Sequence, residues 1–182
     1  MENHSHRTNP QFPTAVFLAA ILCFSGPSAS ATEIAGQVVS IIDGDTIDVL
    51  YKKRPQRIRL QGIDCPEKGQ PYATKAKQAT AALVFRKEVT VRLQEDHDRY
   101  KRSIGDVVLS DGRILNQELV KDGWCWWYRK YAPNDTELEA LETEAREARK
   151  GLWSDPAPIP PWIYRKARQK KKSNVLDLVP VR

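Results

Sequence analysis

From Glu33 to Leu93, apolar and polar residues alternate in short runs: Val38 to Ile42, Ile47 to Tyr51, Ile58 to Ile63, and Val89 to Leu93. A period of two marks half-buried strands. Between the third and fourth runs, Tyr72 to Phe85 places Ala76, Ala79 and Leu83 at spacings of three and four, which predicts one inserted helix. A fifth strand is expected over Ile104 to Leu109, turning at Ser110-Asp111-Gly112. Beyond it, Leu115 to Val120 reads as a short helix stopped by Gly123, and Thr136 with Glu139 reads as the capping box of a longer one. Leu138, Leu141, Ala145 and Ala148 supply that helix's apolar stripe; Glu and Arg residues opposite read as a solvated face. Gly151 ends it, and Leu152 with Trp153 folds back as its hydrophobic closure. Five short strands with a helix between the third and fourth give an α+β plan: a five-stranded Greek-key β-barrel with three α-helices.

The two ends read differently. Residues 1–31 have the make-up of a cleavable signal peptide: polar residues with Arg7, an apolar run from Phe12 to Phe24, then Ala29-Ser30-Ala31. That run of about 13 residues is short of the roughly 20 a membrane-spanning helix needs. The barrel domain is expected over 32–155, and 156–182 as a Pro-rich and then basic tail. The tail's lysines and arginines serve solubility or add salt-sensitive affinity for polyanions. Export to the periplasm or the medium would put Cys65 and Cys125 in an oxidising compartment. They are then either a disulfide or two separate buried thiols. The chain carries a net charge of +6, which suits an anionic partner.

The chemistry concentrates in two acidic strings, Asp43-Gly44-Asp45-Thr46 and Asp64-Cys65-Pro66-Glu67. Asp-Gly between two strand runs is an ordinary turn signal. A second carboxylate at Asp45 adds repulsion unless a cation or an arginine offsets it. Hard oxygen ligands on loops suit Ca²⁺, so an acidic turn and a calcium site both stand. Arg57-Ile58-Arg59-Leu60 then brings two guanidinium groups just ahead of Asp64. Acids and arginines in one neighbourhood are what phosphodiester hydrolysis needs: metal, base, and donors for the charge of the transition state. Arg59 and Asp64 differ in strand parity, so Gly62 must allow a bend. In Trp124-Cys125-Trp126-Trp127-Tyr128-Arg129-Lys130-Tyr131, aromatics and cations interleave. The tryptophans read as core or as base-stacking groups, and Tyr131 is the best stacking candidate.

Val39-x-x-x-Asp43-Gly44-Asp45-Thr46, Ile58-Arg59-Leu60-x-x-Ile63-Asp64-x-Pro66-Glu67, Asp98-x-Tyr100-x-Arg102, Leu119-Val120-x-x-Gly123 and Gly151-Leu152-Trp153 occur in one order. In this the chain resembles the staphylococcal nuclease (thermonuclease) family over Ile34 to Trp153. The resemblance implies an oligonucleotide-binding (OB) fold and Ca²⁺-dependent cleavage of DNA and RNA to 3′-phosphate ends. It implies Asp45, Asp64 and the backbone carbonyl of Cys65 as metal ligands, and Glu67 as general base. Arg59 and Arg102 would hold the phosphate, and Asp43 and Thr46 would support the site. Tyr100, Arg99 and Tyr131 would contact substrate, taken as single-stranded or locally unpaired DNA and RNA. A monomer suffices, and no stable protein partner is implied.

Some positions depart from the family pattern. Cys65 stands where Thr or Ala is frequent, Lys101 replaces a frequent Gly beside Arg102, and Arg129 replaces a stacking tyrosine. The loop Lys68-Gly69-Gln70-Pro71 is also short. Two rivals remain: a module that binds nucleic acid without cutting, and an envelope barrel whose basic tail meets anionic lipid. Both leave the acidic cluster without a purpose, since bare carboxylates repel phosphate.

Overall fold

The computed structural model describes residues 32–97 and 102–176. The expected leader and Arg99, Tyr100 and Lys101 lie outside the described residues. The strands are β1 (Thr32–Ile41), β2 (Thr46–Tyr51), β3 (Arg54–Leu60), β4 (Ile63–Asp64), β5 (Glu88–His97), β6 (Ser103–Leu109) and β7 (Trp126–Trp127). The helices are α1 (Ala73–Val84), α2 (Leu115–Lys121), α3 (Thr136–Glu147) and α4 (Pro161–Leu176), with a 3₁₀ turn over Gly151–Ser154.

Five strands close a barrel in the order β1-β2-β3-β6-β5. All neighbours are antiparallel except β3 and β6, which run parallel through Ile58–Ser103 to Leu60–Gly105. With α1 inserted before β5, this is the α+β, OB-type barrel expected from the alternation. β1 starts earlier than its apolar run because it serves two partners. Thr32 to Gln37 pairs with β5, Gln37 to Ile41 pairs with β2, and a register shift falls between Val38 and Ser40. Val38, Ile47, Val49, Ile58, Val91 and Val107 point inward and are fully buried. Alternation on every strand puts these side chains on one face.

β4 leaves the barrel and pairs with β7, so Ile63 faces Trp127 and Asp64 faces Trp126. This small ladder ties the acidic string to the aromatic one. Trp126 and Trp127 are buried, which places them in the core. Leu152 and Trp153 fold back as expected, with Trp153 edge-on to Trp126.

Three expectations are corrected. The cap of α3 is Asp135, whose carboxylate accepts from Leu138 N, rather than Thr136. Glu142 does not belong to a solvated face. It is buried, accepts the backbone N–H of Trp127, and pairs with Arg129 and Arg146, whose charges offset its burial. Finally, the expected tail carries a fourth helix, α4. Only its first turn is apolar, so no helical stripe announces it. It starts with a buried proline at the first helical position, where the missing N–H costs nothing. Trp162 then stacks on Tyr128, with centroids 5.2 Å apart and planes within 2°, and meets Trp126 edge-on.

Candidate active site

The turn between β1 and β2 is built from short side chains because it has no room for long ones. A Cβ on Gly44 would lie 2.7 Å from Cys65 Cβ and 3.0 Å from Ala76 Cβ, so the turn packs directly on the second acidic loop and on α1. Thr80 Oγ1 of α1 donates to Gly44 O at 2.6 Å and pins the turn from below. Asp43 Oδ1 accepts the N–H of Asp45, and Asp45 O accepts from Leu60 N. Asp45 is thereby aimed across the barrel's rim at β4. Its Oδ2 accepts the N–H of Cys65 at 2.7 Å, and its Oδ1 accepts the hydroxyl of Thr46.

Gly62, at φ +71°, breaks the chain between β3 and β4 and resolves the parity conflict. Only past that bend can Asp64 face Arg59. Arg59 Nη2 lies 3.2 Å from Asp45 Oδ2 and 3.2 Å from Asp64 Oδ1, while Nη1 donates to Leu60 O. Arg102 Nη1 donates to Thr46 Oγ1, which puts it beside the same cluster. The structure thus brings together Asp43, Asp45, Thr46, Arg59, Asp64, Cys65 and Arg102.

Cys65 and Cys125 form a disulfide with Cα atoms 4.2 Å apart. Of the two readings open from sequence, the bridge is the one found. It anchors the acidic loop to the segment between α2 and β7.

Burial and charge both act on the carboxylates. Asp64 is 1 % exposed and Asp45 6 %. Burial first, and then the charge of Asp45, pushes Asp43 up to about 6. Burial also raises Asp64, against hydrogen bonding from Arg165 and with repulsion from Asp45 adding to the rise. Carboxylate oxygens of this kind are the hard donors that a divalent cation takes. Among the described residues no three His, Cys, Asp or Glu side chains converge into a ready cage. Asp45 and Asp64 would hold the ion as a pair, with backbone, water and phosphate oxygens completing its shell.

One participant was not foreseen. Arg165 of α4 reaches back to the acidic loop: Nη2 is 2.7 Å from Asp64 Oδ2, and Nη1 is 3.1 Å from Asp64 Oδ1 and 2.6 Å from Glu67 Oε1. A single nitrogen touching both acids shows that Asp64 and Glu67 face one point. Burial weakens the charge on Arg165, but its bonds to the two carboxylates outweigh this and hold its pKa raised. The loop itself is held by Gln70, which accepts from Glu67 N and donates to Ile159 O at 2.6 Å. The signal was present in Pro161-Trp162-Ile163-Tyr164-Arg165, an aromatic and cationic string of the same kind as Trp127-Tyr128-Arg129.

Tyr131 is 64 % exposed, edge-on to Tyr128, with Lys130 Nζ 5.4 Å from its ring centre. Its ring is largely open to solvent at the end of the aromatic row that supports α4. Arg129 lies over Trp127 and pairs with Glu142, so it does not take a stacking role.

Residues 57–155 match the family model described as staphylococcal nuclease homologue. The chain belongs to the staphylococcal nuclease family. It is a nuclease, a hydrolase of phosphodiester bonds, with nucleic acid as substrate. Among relatives within this family, it is 41 % identical over 162 residues to a micrococcal nuclease of Shigella flexneri, covering 84 % of this chain and 91 % of the relative. It is 43 % identical to an uncharacterized endonuclease of Escherichia coli O157:H7, over 80 % of this chain and 93 % of that one. It is also 42 % identical to the protein ParB of Escherichia coli, over 84 % and 90 % of the two chains. In the staphylococcal nuclease frame, Arg59, Asp64, Glu67 and Arg102 lie inside the matched span; Asp45 precedes it, and Arg165 follows it.

Proposed function

We propose that the protein is a calcium-dependent endonuclease that cleaves single-stranded or locally unpaired DNA and RNA and leaves 3′-phosphate ends. The observation that carries this reading is the clamp on Asp45 and Asp64: two buried carboxylates, one from the turn between β1 and β2 and one from β4, held by one nitrogen of Arg59. A structural barrel has no need of two buried acids at its rim. Asp45, Asp64 and the Cys65 carbonyl would hold calcium there, and it would supply Lewis acidity and neutralise phosphate charge.

The protein's own groups do the rest. Glu67 is only partly buried, faces the same point as Asp64, and accepts the proton of the attacking water. Arg59 and Arg102, fixed on β3 and just ahead of β6, donate to the phosphate oxygens as charge builds on them. The water attacks in line, the P–O5′ bond breaks, and the 5′ oxygen leaves with a proton from solvent. Asp43 and Thr46 hold Asp45 in aim. Tyr131, with Tyr100 and Arg99 beyond the described residues, receives the neighbouring nucleotides. The protein acts as a monomer after export to the periplasm or the medium; the Cys65–Cys125 bridge supports an oxidising compartment.

The test is product analysis with end-labelled single-stranded DNA and RNA in calcium. The expected ends release phosphate to a 3′-phosphatase, and Glu67→Gln cleaves about 10²- to 10⁴-fold more slowly. Products with 5′-phosphate ends, or undiminished cleavage by the variant, would refute the assignment.

A further inference from the structure

Arg165 is not placed by the family model, whose match ends at residue 155. It is nonetheless the group most intimately bound to the acidic loop. Asp64 has both oxygens engaged: Oδ1 by Arg59 and Arg165, and Oδ2 by Arg165. Glu67 accepts from the same guanidinium. A hard cation binds a carboxylate through the same lone pairs, at about 2.3–2.6 Å for calcium. Arg165 takes a lone pair of each Asp64 oxygen and brings positive charge to the place where a cation would bind, so guanidinium and metal compete for Asp64.

The contact is built. Pro161 is buried, Trp162 is stacked on Tyr128, and Gln70 joins the acidic loop to Ile159, two residues before the helix. These anchors lie just before and on the first turn of α4, and beyond them Lys166, Ala167, Arg168, Gln169, Lys170 and Lys171 face solvent. The helix holds by one turn of aromatic packing, and Arg165 is the side chain this turn delivers.

Resting on the metal site proposed above, we propose that α4 is an autoinhibitory latch whose Arg165 occupies Asp64 and Glu67 in competition with the metal ion. Loading the site requires Arg165 to leave both acids. Because coupling of two equilibria is reciprocal, the ion loosens the latch by the same factor that the latch weakens the ion. The helix then restrains a nuclease until it meets enough divalent cation.

The test is calcium binding by titration calorimetry, without nucleic acid, on the full chain and its Arg165→Ala, Trp162→Ala and Asp64→Asn variants. Arg165→Ala is expected to bind calcium at least about tenfold more tightly, within the usual range of coupling. Trp162→Ala, which frees the helix without touching a carboxylate, shifts affinity the same way. Calcium should also speed tryptic cleavage within the basic part of α4 in the unsubstituted protein. Unchanged or weaker calcium binding by Arg165→Ala overturns the latch. If calcium binding is unchanged while a separate titration shows that variant losing affinity for single-stranded DNA, Arg165 is a substrate ligand and the latch is overturned. If no variant binds calcium differently from Asp64→Asn, the metal site itself fails and the latch fails with it.

Discussion

Arg59 Nη2 lies 3.2 Å from Asp64 Oδ1, although an unbroken strand would send the two side chains to opposite faces. The reversal is made at Gly62, whose φ of +71° favours glycine and whose missing Cβ would otherwise sit 2.8 Å from Leu138 Cδ1. Gly62→Ala should therefore cost about 1–2 kcal/mol of stability from backbone strain alone, with the clash adding to it. It should also lower activity beyond what unfolding explains. Denaturant melts and cleavage rates on the same preparation separate the two effects.

Arg59 is a fork whose geometry lysine cannot copy: Nη2 faces both acids while Nη1 holds Leu60 O. Arg59→Lys keeps the charge and loses the fork. Cleavage at saturating calcium should fall about 10²-fold, the usual cost of one transition-state donor. A rate close to that of the parent protein would show that charge alone suffices.

The Cys65–Cys125 bridge closes a loop between residues 60 positions apart and limits the unfolded chain. Cys125→Ser should cost roughly 2–4 kcal/mol in chemical denaturation, and a reductant should shift the parent protein's midpoint in the same direction. Coincident midpoints with and without reductant would count against a structural bridge.

Asp106 offers a test of electrostatics away from the active site. Burial, and then the charge of Asp135, pushes it up to about 6 against the pull of Arg92. A pKa raised in the fold means that the folded state binds the proton more tightly. Its contribution to stability is full below the ordinary carboxylate value near 4 and is lost as pH rises through about 6. Asp106→Asn can still accept from Asn116 Nδ2, now 2.9 Å from Asp106 Oδ1. The variant should be more stable than its parent at pH 7.5 by on the order of 1 kcal/mol, with the gap closing toward pH 4. Thermal melts across that range decide it.

The barrel was legible because period-two alternation is read directly from burial: Val38, Val49, Ile58 and Val107 each sit where the pattern puts them. The acidic cluster was legible because Asp45 and Asp64 stand in short strings with an arginine between them. The role of Arg165 was not, because it depends on α4, a helix docked by stacking and ion pairs. Trp162 on Tyr128, and Arg165 on Asp64, leave no periodic trace in sequence. Glu142 was misread for a related reason. An acid reads as solvated, yet four residues after Leu138 and three before Ala145 it falls on the buried face of α3, where Arg129 and Arg146 pair with it.

The central claim is that Asp45 and Asp64 hold the cation that hydrolysis requires. The most direct measurement is the rate of single-stranded DNA cleavage as a function of free calcium, from excess chelator upward, for the parent protein and for Asp45→Asn. Cleavage should be absent in chelator and rise saturably with calcium, and in the variant the rise should be displaced to much higher calcium or abolished. Cleavage that persists in chelator, or calcium dependence unaltered by Asp45→Asn, would contradict it.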